Sequence, residues 1–394
     1  MCNSCSIDVL AISSACHTAI NRKVYSDILS AGSSVVIVVP TEMSFGNTIV
    51  KADAPRDGDP DVIYLKLVGS NARMNYFVGI FNVIKKYSPK YIVIDNDPAS
   101  IMVLQIAIFS KIINKANIFC ISYENLPLTL HSSYTRRGFS SVIPLIYKKF
   151  ILALSKTLIT GLFVVNDDGH QIFKSNGIKN ICKIPLGFDS NYFKIDYESR
   201  IQKRKQLGVE NKFVIGYFGR ISYEKGVHTL LSALSRLLKY DWILLIDKFD
   251  RYHNSYAKAI NDQIDNEGLS DRVIYSSPSH INIGKFMNAV DVVVMPSIST
   301  PVWVEQYGRV APEAMACGKI VIASNTGAIP MLLNGHGILF DEGDVNDLTN
   351  TLTEIIDGGD GGLLFCSQEI SDYAHKSLNT VKQAKSMLTF MESI

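Results

Sequence analysis

The chain has 394 residues, more than one hydrophobic core comfortably organises, so two domains are expected at the usual ~100–200 residues each. With 47% hydrophobic and 19% charged residues the composition is globular, which excludes an intrinsically disordered chain. A formal net charge of +2 excludes a global field that would gather nucleic acid, so any bound anion must be held by a local site.

In chain order, Cys2 and Cys5 come first at a metal-ligand spacing, but no second Cys or His pair follows closely, and no metal is expected there. The seven cysteines are odd in number and mostly lie in apolar runs, which points to a reducing compartment. No basic segment precedes an apolar stretch at the N-terminus, so no secretory signal is expected.

Short β-branched runs then alternate with amphipathic stretches of helical length, the pattern of βα units around a parallel sheet. Strands are predicted at IDVLAIS from Ile7, SVVIVVP from Ser34, VIYLKLV from Val62, YIVID from Tyr91, IFCISY from Ile118, LFVVN from Leu162 and CKIPLG from Cys182. A helix is predicted over NRKVYSDILSAG from Asn21, with Gly32 as its C-terminal cap. The longest apolar region, from Ser141, is cut by Lys148, Lys149 and Lys156 and is not expected to span a membrane. Together these segments predict a first doubly wound domain over residues 1–188.

The polar, charged run from Asp189 to Lys212 reads as a link. The alternation then restarts with FVIGYFG from Phe213, WILLID from Trp242, RVIYSS from Arg272, DVVVMPS from Asp291, KIVIAS from Lys319 and GILF from Gly337. A second doubly wound domain is thus predicted over 189–369, followed by a helical stretch, 370–394, that packs back on the first domain. The expected architecture is two Rossmann-like α/β domains facing a cleft.

Open α/β sheets bind ligands beyond the carboxyl ends of their strands, so the residues just after each strand carry the chemistry. After FVIGYF comes GRISYEKG, residues 219–226. Gly219 allows a tight turn, Arg220 offers a planar fork suited to phosphate oxygens, and Lys225 adds a point charge at a helix start. Taken alone, the same run also reads as a solvated basic turn. After DVVVMPS comes VEQYGRVAPEAMACG, residues 304–318, with Glu305 and Glu313 eight apart. Gly308 lets the backbone approach a ligand, and Glu313 is expected about a turn and a half inside the helix that follows. Carboxylates placed there are acceptors for sugar or ribose hydroxyls.

The run GYFGRISYEKGVHTLLSAL, followed some 80 residues later by PSISTPVWVEQYGRVAPEAMACGKIVIASNTGAIP, resembles the C-terminal donor domain of the family 4 glycosyltransferases. These enzymes have the GT-B fold, a retaining mechanism and a Glu-x7-Glu segment. PLGFDSNYF, residues 185–193, resembles the family's interdomain crossing, and the similarity is strong from about Leu162 to Phe340. The resemblance implies that Gly219, Arg220 and Lys225 hold the diphosphate of a nucleotide-sugar and offset the charge on the leaving group. It implies that Glu313 accepts from the ribose and Glu305 from the transferred sugar. Gln306, Tyr307, Gly308, Arg309 and Val310 would then line the sugar and the distal phosphate. It implies no metal and no cofactor other than the donor substrate itself.

Four departures stand beside it. The Gly-x-Gly expected after WILLID is replaced by DKFDRY, residues 247–252, and the Gly-Gly-x-x-Glu motif becomes Gly327 to Met331 without its acid. The Gly-rich loop expected after the first strand is replaced by SSACHTAINRK, residues 13–23. The family's His-Asp pair is replaced by Glu124 and Asn125 in SYENLP. Glu124 reads either as a carboxylate that steadies positive charge at the anomeric carbon or as a surface or capping acid. His17 and Asp97 are further acceptor-side candidates, with a structural histidine and a helix N-cap before Pro98 as the simpler assignments.

Residues 134–156 interleave Tyr134, Phe139, Tyr147 and Phe150 with Arg136, Arg137, Lys148, Lys149 and Lys156. This suits either an anionic membrane surface, where lipid-linked acceptors reside, or an ordinary helix with a solvated basic face. The resemblance implies transfer of a sugar to a carbohydrate or lipid-linked acceptor in bacterial polysaccharide or glycolipid assembly, in the cytoplasm, at the inner face of the membrane. A non-catalytic nucleotide-sugar-binding subunit and a nucleotide-sugar epimerase are the alternatives.

Overall fold

The computed structural model describes residues 6–45, 48–69, 71, 73–249, 254–358 and 366–394. Cys2, Cys5, His253, the end of DKFDRY and the side chains of Arg136 and Arg137 lie outside the described residues. The chain divides into two compact units, Met1–Gly187 with Thr380–Ile394, and Phe188–Asn379.

The first unit is built on strands β1 (Val9–Ser13) and β2 (Val35–Pro40), hairpin β3 (Glu42–Phe45) and β4 (Thr48–Lys51), β5 (Asp61–Leu65), and hairpin β6 (Leu67–Val68) and β7 (Tyr76–Phe77). It continues with β8 (Tyr91–Asp95), β9 (Asn117–Ser122), β10 (Gly161–Val164) and β11 (Ile181–Lys183). Seven of these form one parallel sheet in the order β11-β10-β9-β8-β1-β2-β5, and they are the seven segments predicted as strands. The two antiparallel hairpins, β3–β4 and β6–β7, lack a clear alternation in sequence. β1 and β2 are buried along their whole length, as a sheet covered on both faces requires. Leu10, Ile12, Val36, Val38, Ile92 and Ile94 project onto one face, against Met102 and Ile106 of the helix Ile101–Ile113.

Gly32, at φ 99, ends the helix Lys23–Ser30 through a bond from its N–H to the Leu29 carbonyl. The stretch expected as one helix from about Ile370 is two. Ser367–Ser377 belongs to the second unit, where the Ser371 hydroxyl donates to the Ala316 carbonyl at 2.8 Å. Thr380–Glu392 belongs to the first unit, packs on Lys23–Ser30, and sets the Phe390 ring 5.9 Å from Phe119 and 5.5 Å from Phe163.

The second unit carries β12 (Phe213–Tyr217), β13 (Trp242–Asp247), β14 (Val273–Ser276), β15 (Val292–Met295), β16 (Ile320–Ser324) and β17 (Ile338–Phe340), all parallel, in the order β14-β13-β12-β15-β16-β17. The run read as a link contains a helix of this unit, Tyr197–Leu207. Arg200 and Arg204 both pair with Asp291, while Asp196 caps the helix by accepting from the Ser199 N–H at 2.8 Å. Charge that looked solvated from sequence is therefore used to dock the helix.

By length and composition alone, the helical run Gly138–Ser155 is apolar enough to cross a membrane. Leu145 and Leu152 nevertheless lie in the core cluster and Lys148 is buried, so it is an element of the folded first unit.

Replacing Phe390 by Ala should remove the aromatic plug over Phe119 and Phe163 and destabilise the first unit by about 2–3 kcal/mol, the lower part of the range for large-to-small changes because Phe390 is only half-buried. Denaturant unfolding followed by aromatic fluorescence measures it; an unchanged midpoint would contradict this packing role.

Candidate functional site

In the second unit the strand order reverses between β12 and β15, and a sheet of this order opens its ligand crevice beyond the carboxyl ends of those strands. The predicted residues fall in the two loops there. After β12, the Gly219 N–H donates to Asp247 Oδ2 at 3.0 Å, and the Tyr217 hydroxyl donates to the Arg220 carbonyl at 2.7 Å, which fixes the Arg220 backbone. The Arg220 side chain is 75% exposed, with Glu224 near its guanidinium at 3.8 Å, so it is available to an anion. A single 3-10 turn, Tyr223–Lys225, then leads to Gly226 and the helix Val227–Leu234. At Gly226, with φ 65, an added Cβ would come to 1.7 Å from the Pro296 carbonyl oxygen. Only glycine lets the β12 loop lie directly on the β15 loop.

After β15, Glu305 is 5% exposed. Its Oε2 accepts from Lys225 Nζ at 2.5 Å and from the Ser297 hydroxyl at 3.0 Å, and Lys225 lies 4.8 Å from the centroid of the Trp303 ring. The Glu305 carbonyl accepts the Ala328 N–H at 3.0 Å, and Gly327, at φ 53, presses so closely that a Cβ would sit 2.2 Å from that oxygen. The acid absent from the 327–331 segment is thus accompanied by a retained structural duty, the clamping of Glu305. Gly308 has φ 87 and faces Met295.

Helix Val310–Ala316 follows, and Glu313 lies in its first turn, closer to the start than the expected turn and a half. Pro312 is tolerated because the first turn has no intrahelical use for its missing N–H. Gln306 and Arg309 are exposed, Tyr307 is buried and Val310 half-buried. Glu313 keeps 13% of its side chain exposed, yet the dense surroundings push its carboxyl up to about 7, with Arg309 at 3.8 Å pulling the other way.

Two polar residues that the motif reading did not assign line a cavity of about 330 Å³ with Gly219, Arg220 and Phe249. Asp247 Oδ1 and Ser222 Oγ are buried there without a hydrogen-bond partner among the described residues. Burial pushes the Asp247 carboxyl up to about 6, against the opposing Gly219 N–H. The only signal in sequence was a carboxylate standing where Gly-x-Gly was expected.

In the first unit the strand order reverses between β1 and β8. Ser13 and Asp95 are register partners at those strand ends, and the hydroxyls of Ser13 and Tyr123 donate to Asp95 at 2.7 and 3.0 Å. Burial raises the Asp95 carboxyl pKa while both hydroxyls oppose the shift. This residue ends the YIVID strand, so strand counting could have found it ahead of Asp97. Asp97 accepts from the Ala99 N–H at 2.8 Å and from the Ser122 hydroxyl at 3.2 Å. It is not the helix N-cap: Ser100 caps Ile101–Ile113 through the Val103 N–H.

Ser122 also accepts from the Glu124 N–H at 3.2 Å, which joins Asp97 to Glu124. Glu124 is buried; its Oε2 pairs with Lys148 and lies 3.4 Å from Arg73, while Oε1 accepts the Leu126 N–H at 3.2 Å. Burial works against its charge, but Lys148, the Leu126 amide and Arg73 together hold the carboxyl below the ordinary glutamate range. Lys148, expected on a basic outer face, therefore turns inward as the counter-ion of Glu124. Asn125 beside it is 6% exposed.

His17 joins a different network: its Nδ1 is 3.2 Å from the Thr18 hydroxyl and its carbonyl accepts the Asp53 N–H. The missing Gly-rich loop is replaced by Arg22, fully buried, which donates to the carbonyls of Cys16, Asp53 and Ala54 and pairs with Asp59 at 3.2 Å. A structural guanidinium fills that slot.

Residues 199–364 match the family model described as glycosyl transferases group 1. The lipopolysaccharide core biosynthesis mannosyltransferase LpsB of Rhizobium meliloti is 27% identical over 180 residues, covering 43% of this chain and 49% of that protein. The capsular polysaccharide biosynthesis glycosyltransferase CapM of Staphylococcus aureus is 28% identical over 239 residues, 57% of this chain and 60% of that protein. The matched part thus spans about half the length of these curated relatives. Among solved structures, Anabaena HepE in complex with UDP and glucose superposes with a TM-score of 0.71 at 20% identity, covering 98% of this chain and 100% of that one. Sucrose-phosphate synthase from Thermosynechococcus elongatus gives 0.70 at 17% identity, with 98% of each chain covered. These likenesses show the GT-B fold.

The buried carboxyl of Glu313 has a thermodynamic consequence. Folded Glu313 keeps its proton to higher pH than the unfolded chain does, so its charged form costs stability as pH rises from about 4.5 towards 7, on the order of 3 kcal/mol in all. Glu313→Gln should melt above the parent at pH 8, with the gap closing at pH 4.5. Equal melting temperatures at pH 8 would show that this carboxylate is not destabilised by its surroundings.

Proposed function

We propose that the protein moves a sugar from a nucleoside diphosphate sugar to a carbohydrate or lipid-linked saccharide acceptor, with retention at the anomeric carbon, and that residues 199–364, which match the group 1 glycosyl transferase model, act as its donor domain in a chain of GT-B fold. The observation that carries this reading is that Arg220 and Lys225 follow β12 and Glu305 and Glu313 follow β15, the two strands of one unit's switch point, with Lys225 and Glu305 paired across the two loops. HepE binds UDP and glucose on the same fold. LpsB and CapM act in lipopolysaccharide and capsular polysaccharide synthesis, which supports a polysaccharide or glycolipid setting for this chain.

In the proposed reaction the bond between the anomeric carbon and the diphosphate oxygen breaks. The leaving diphosphate gains negative charge, which Arg220 and Lys225 offset. The acceptor hydroxyl forms the new bond on the same face and gives its proton to the departing diphosphate oxygen. Glu305 holds Lys225 in place and accepts from the sugar; Glu313 accepts from the ribose. The positive charge comes from these side chains, so no metal is assigned a part. The first unit takes the acceptor, with Glu124 as the candidate carboxylate and Asp97, Asn125 and Asp95 beside its strand ends. The donor sugars of such a reaction are cytoplasmic metabolites, which supports a cytoplasmic setting.

Calorimetry with a panel of nucleoside diphosphates, followed by a slow-hydrolysis assay with the matching sugar nucleotide, tests the reading. Binding together with release of nucleoside diphosphate is expected. Binding without any release would instead favour a non-catalytic donor-binding subunit. Lys225→Met should lower turnover by about 10²–10³-fold at saturating donor; a variant of undiminished turnover would remove Lys225 from the chemistry. Glu124→Ala should likewise lose most turnover with donor at saturation, and retention of it would reduce Glu124 to a structural partner of Lys148.

A further inference from the structure

Helix Val142–Ser155 has two opposed faces. Inward, Leu145 and Leu152 enter the core and Lys148 pairs with Glu124. Outward, Ile143 is 78% exposed, Ile146 58%, Phe150 61% and Leu154 41%, one continuous stripe at helical spacing. The stripe has neighbours. Phe139, 80% exposed, precedes the helix, and its ring meets the edge of Tyr134, itself 49% exposed on helix Leu130–Arg137. Helix Ile101–Ile113, which packs on Val142–Ser155, adds Ile112 at 70% exposure.

An apolar patch of this size on a folded unit marks an interaction surface. Charge says what covers it. From Pro98 to Asn166 the only acidic residue is Glu124, and that one is buried against Lys148. Lys111 and Lys149 stand exposed on helices Ile101–Ile113 and Val142–Ser155, and Lys115 on the turn that leads from the first of them into β9. Large aromatic and aliphatic side chains with exposed lysines on the same segment, which carries no exposed acid from Pro98 to Asn166, complement the headgroup and acyl boundary of an anionic bilayer.

We propose that the face formed by helices Ile101–Ile113, Leu130–Arg137 and Val142–Ser155 docks on an anionic lipid surface, with Phe139, Ile143 and Phe150 inserted and the lysines over lipid phosphates. The inference rests on the proposed lipid-linked acceptor for its purpose. The same helix that meets the lipid carries Lys148, so the docking face and the candidate carboxylate of the acceptor side share one rigid element.

The test is co-sedimentation of the full chain with vesicles of phosphatidylcholine alone and of phosphatidylcholine with about one third phosphatidylglycerol. At least tenfold stronger partition to the anionic vesicles is expected, weakened by salt. The double substitution Ile143→Ser with Phe150→Ser should cut it at least tenfold, as should Lys149→Glu, with nucleoside diphosphate binding unchanged. No partition to either vesicle, or partition indifferent to both variants, would overturn the proposal. So would a dimer in solution that the double variant converts to monomer, since the stripe would then be a protein interface. Vesicle binding by a chain that neither binds nor hydrolyses any sugar nucleotide would leave the docking face standing and defeat the transferase reading.

Discussion

The Lys225–Glu305 ion pair is the constraint around which the second unit's site is arranged. It ties the loop after β12 to the loop after β15, the two loops that flank the point where strand order reverses. With Glu305 largely buried, removing either partner would strand a charge in a poor solvent, a cost of about 3–5 kcal/mol for a buried pair. The Ser297 hydroxyl donates to Glu305 and the Trp303 ring lies against Lys225, so the ammonium is held in position without a ligand. Preorganised charge of this kind acts on a developing anion without rearranging first. Arg220 is arranged in the opposite way, with a fixed backbone and a side chain in water, suited to closing on a ligand after it binds.

The same logic recurs in the first unit with a different outcome. Glu124 stands in the slot of the expected His-Asp pair, but Lys148, Arg73 and the Leu126 amide occupy its oxygens and keep it ionised. A carboxylate so held is a poor proton acceptor. As a fixed negative charge it is well suited to facing positive charge at an anomeric carbon. The contrast with Glu313 and Asp247 is informative: their carboxyls are raised by burial, without a close cation able to cancel the effect.

What could be read from sequence was whatever had a period or a fixed spacing. All thirteen strands of the two large sheets appear as β-branched runs, because buried parallel strands need apolar side chains on both faces. Arg220, Lys225, Glu305 and Glu313 were singled out through the family resemblance, and the structure sets them in the loops and first helical turn that follow β12 and β15. The illegible parts depend on partners far away in the chain. Lys148 looks like any lysine on a basic helix until Glu124, 24 residues earlier, is found against it. Arg22 looks like a surface residue until the carbonyls of Asp53 and Ala54 converge on it. The polar run after Asp189 looks like a tether until Asp291, far along the chain, draws Arg200 and Arg204 onto it. Each is a charge whose burial is decided by tertiary pairing, which no local pattern encodes.

The glycines of the site show why its geometry tolerates so little motion. Gly226 and Gly327 are both in left-handed conformations and both touch carbonyl oxygens, those of Pro296 and Glu305, at distances a Cβ could not share. The loops after β12 and β16 are therefore pressed backbone to backbone onto the loop after β15. Contacts of that kind do not give way as a flexible side chain would, so Lys225 and Glu305 are located by main chain, with the ion pair added to a frame that already fixes their separation. Against this rigidity, Asp247 Oδ1 and Ser222 Oγ stand out as buried without a hydrogen-bond partner among the described residues, and a buried acceptor without a donor costs about 1–3 kcal/mol. A frame this tight carries such a cost most readily where a ligand supplies the missing hydrogen bonds, and both residues line the cavity beside Arg220.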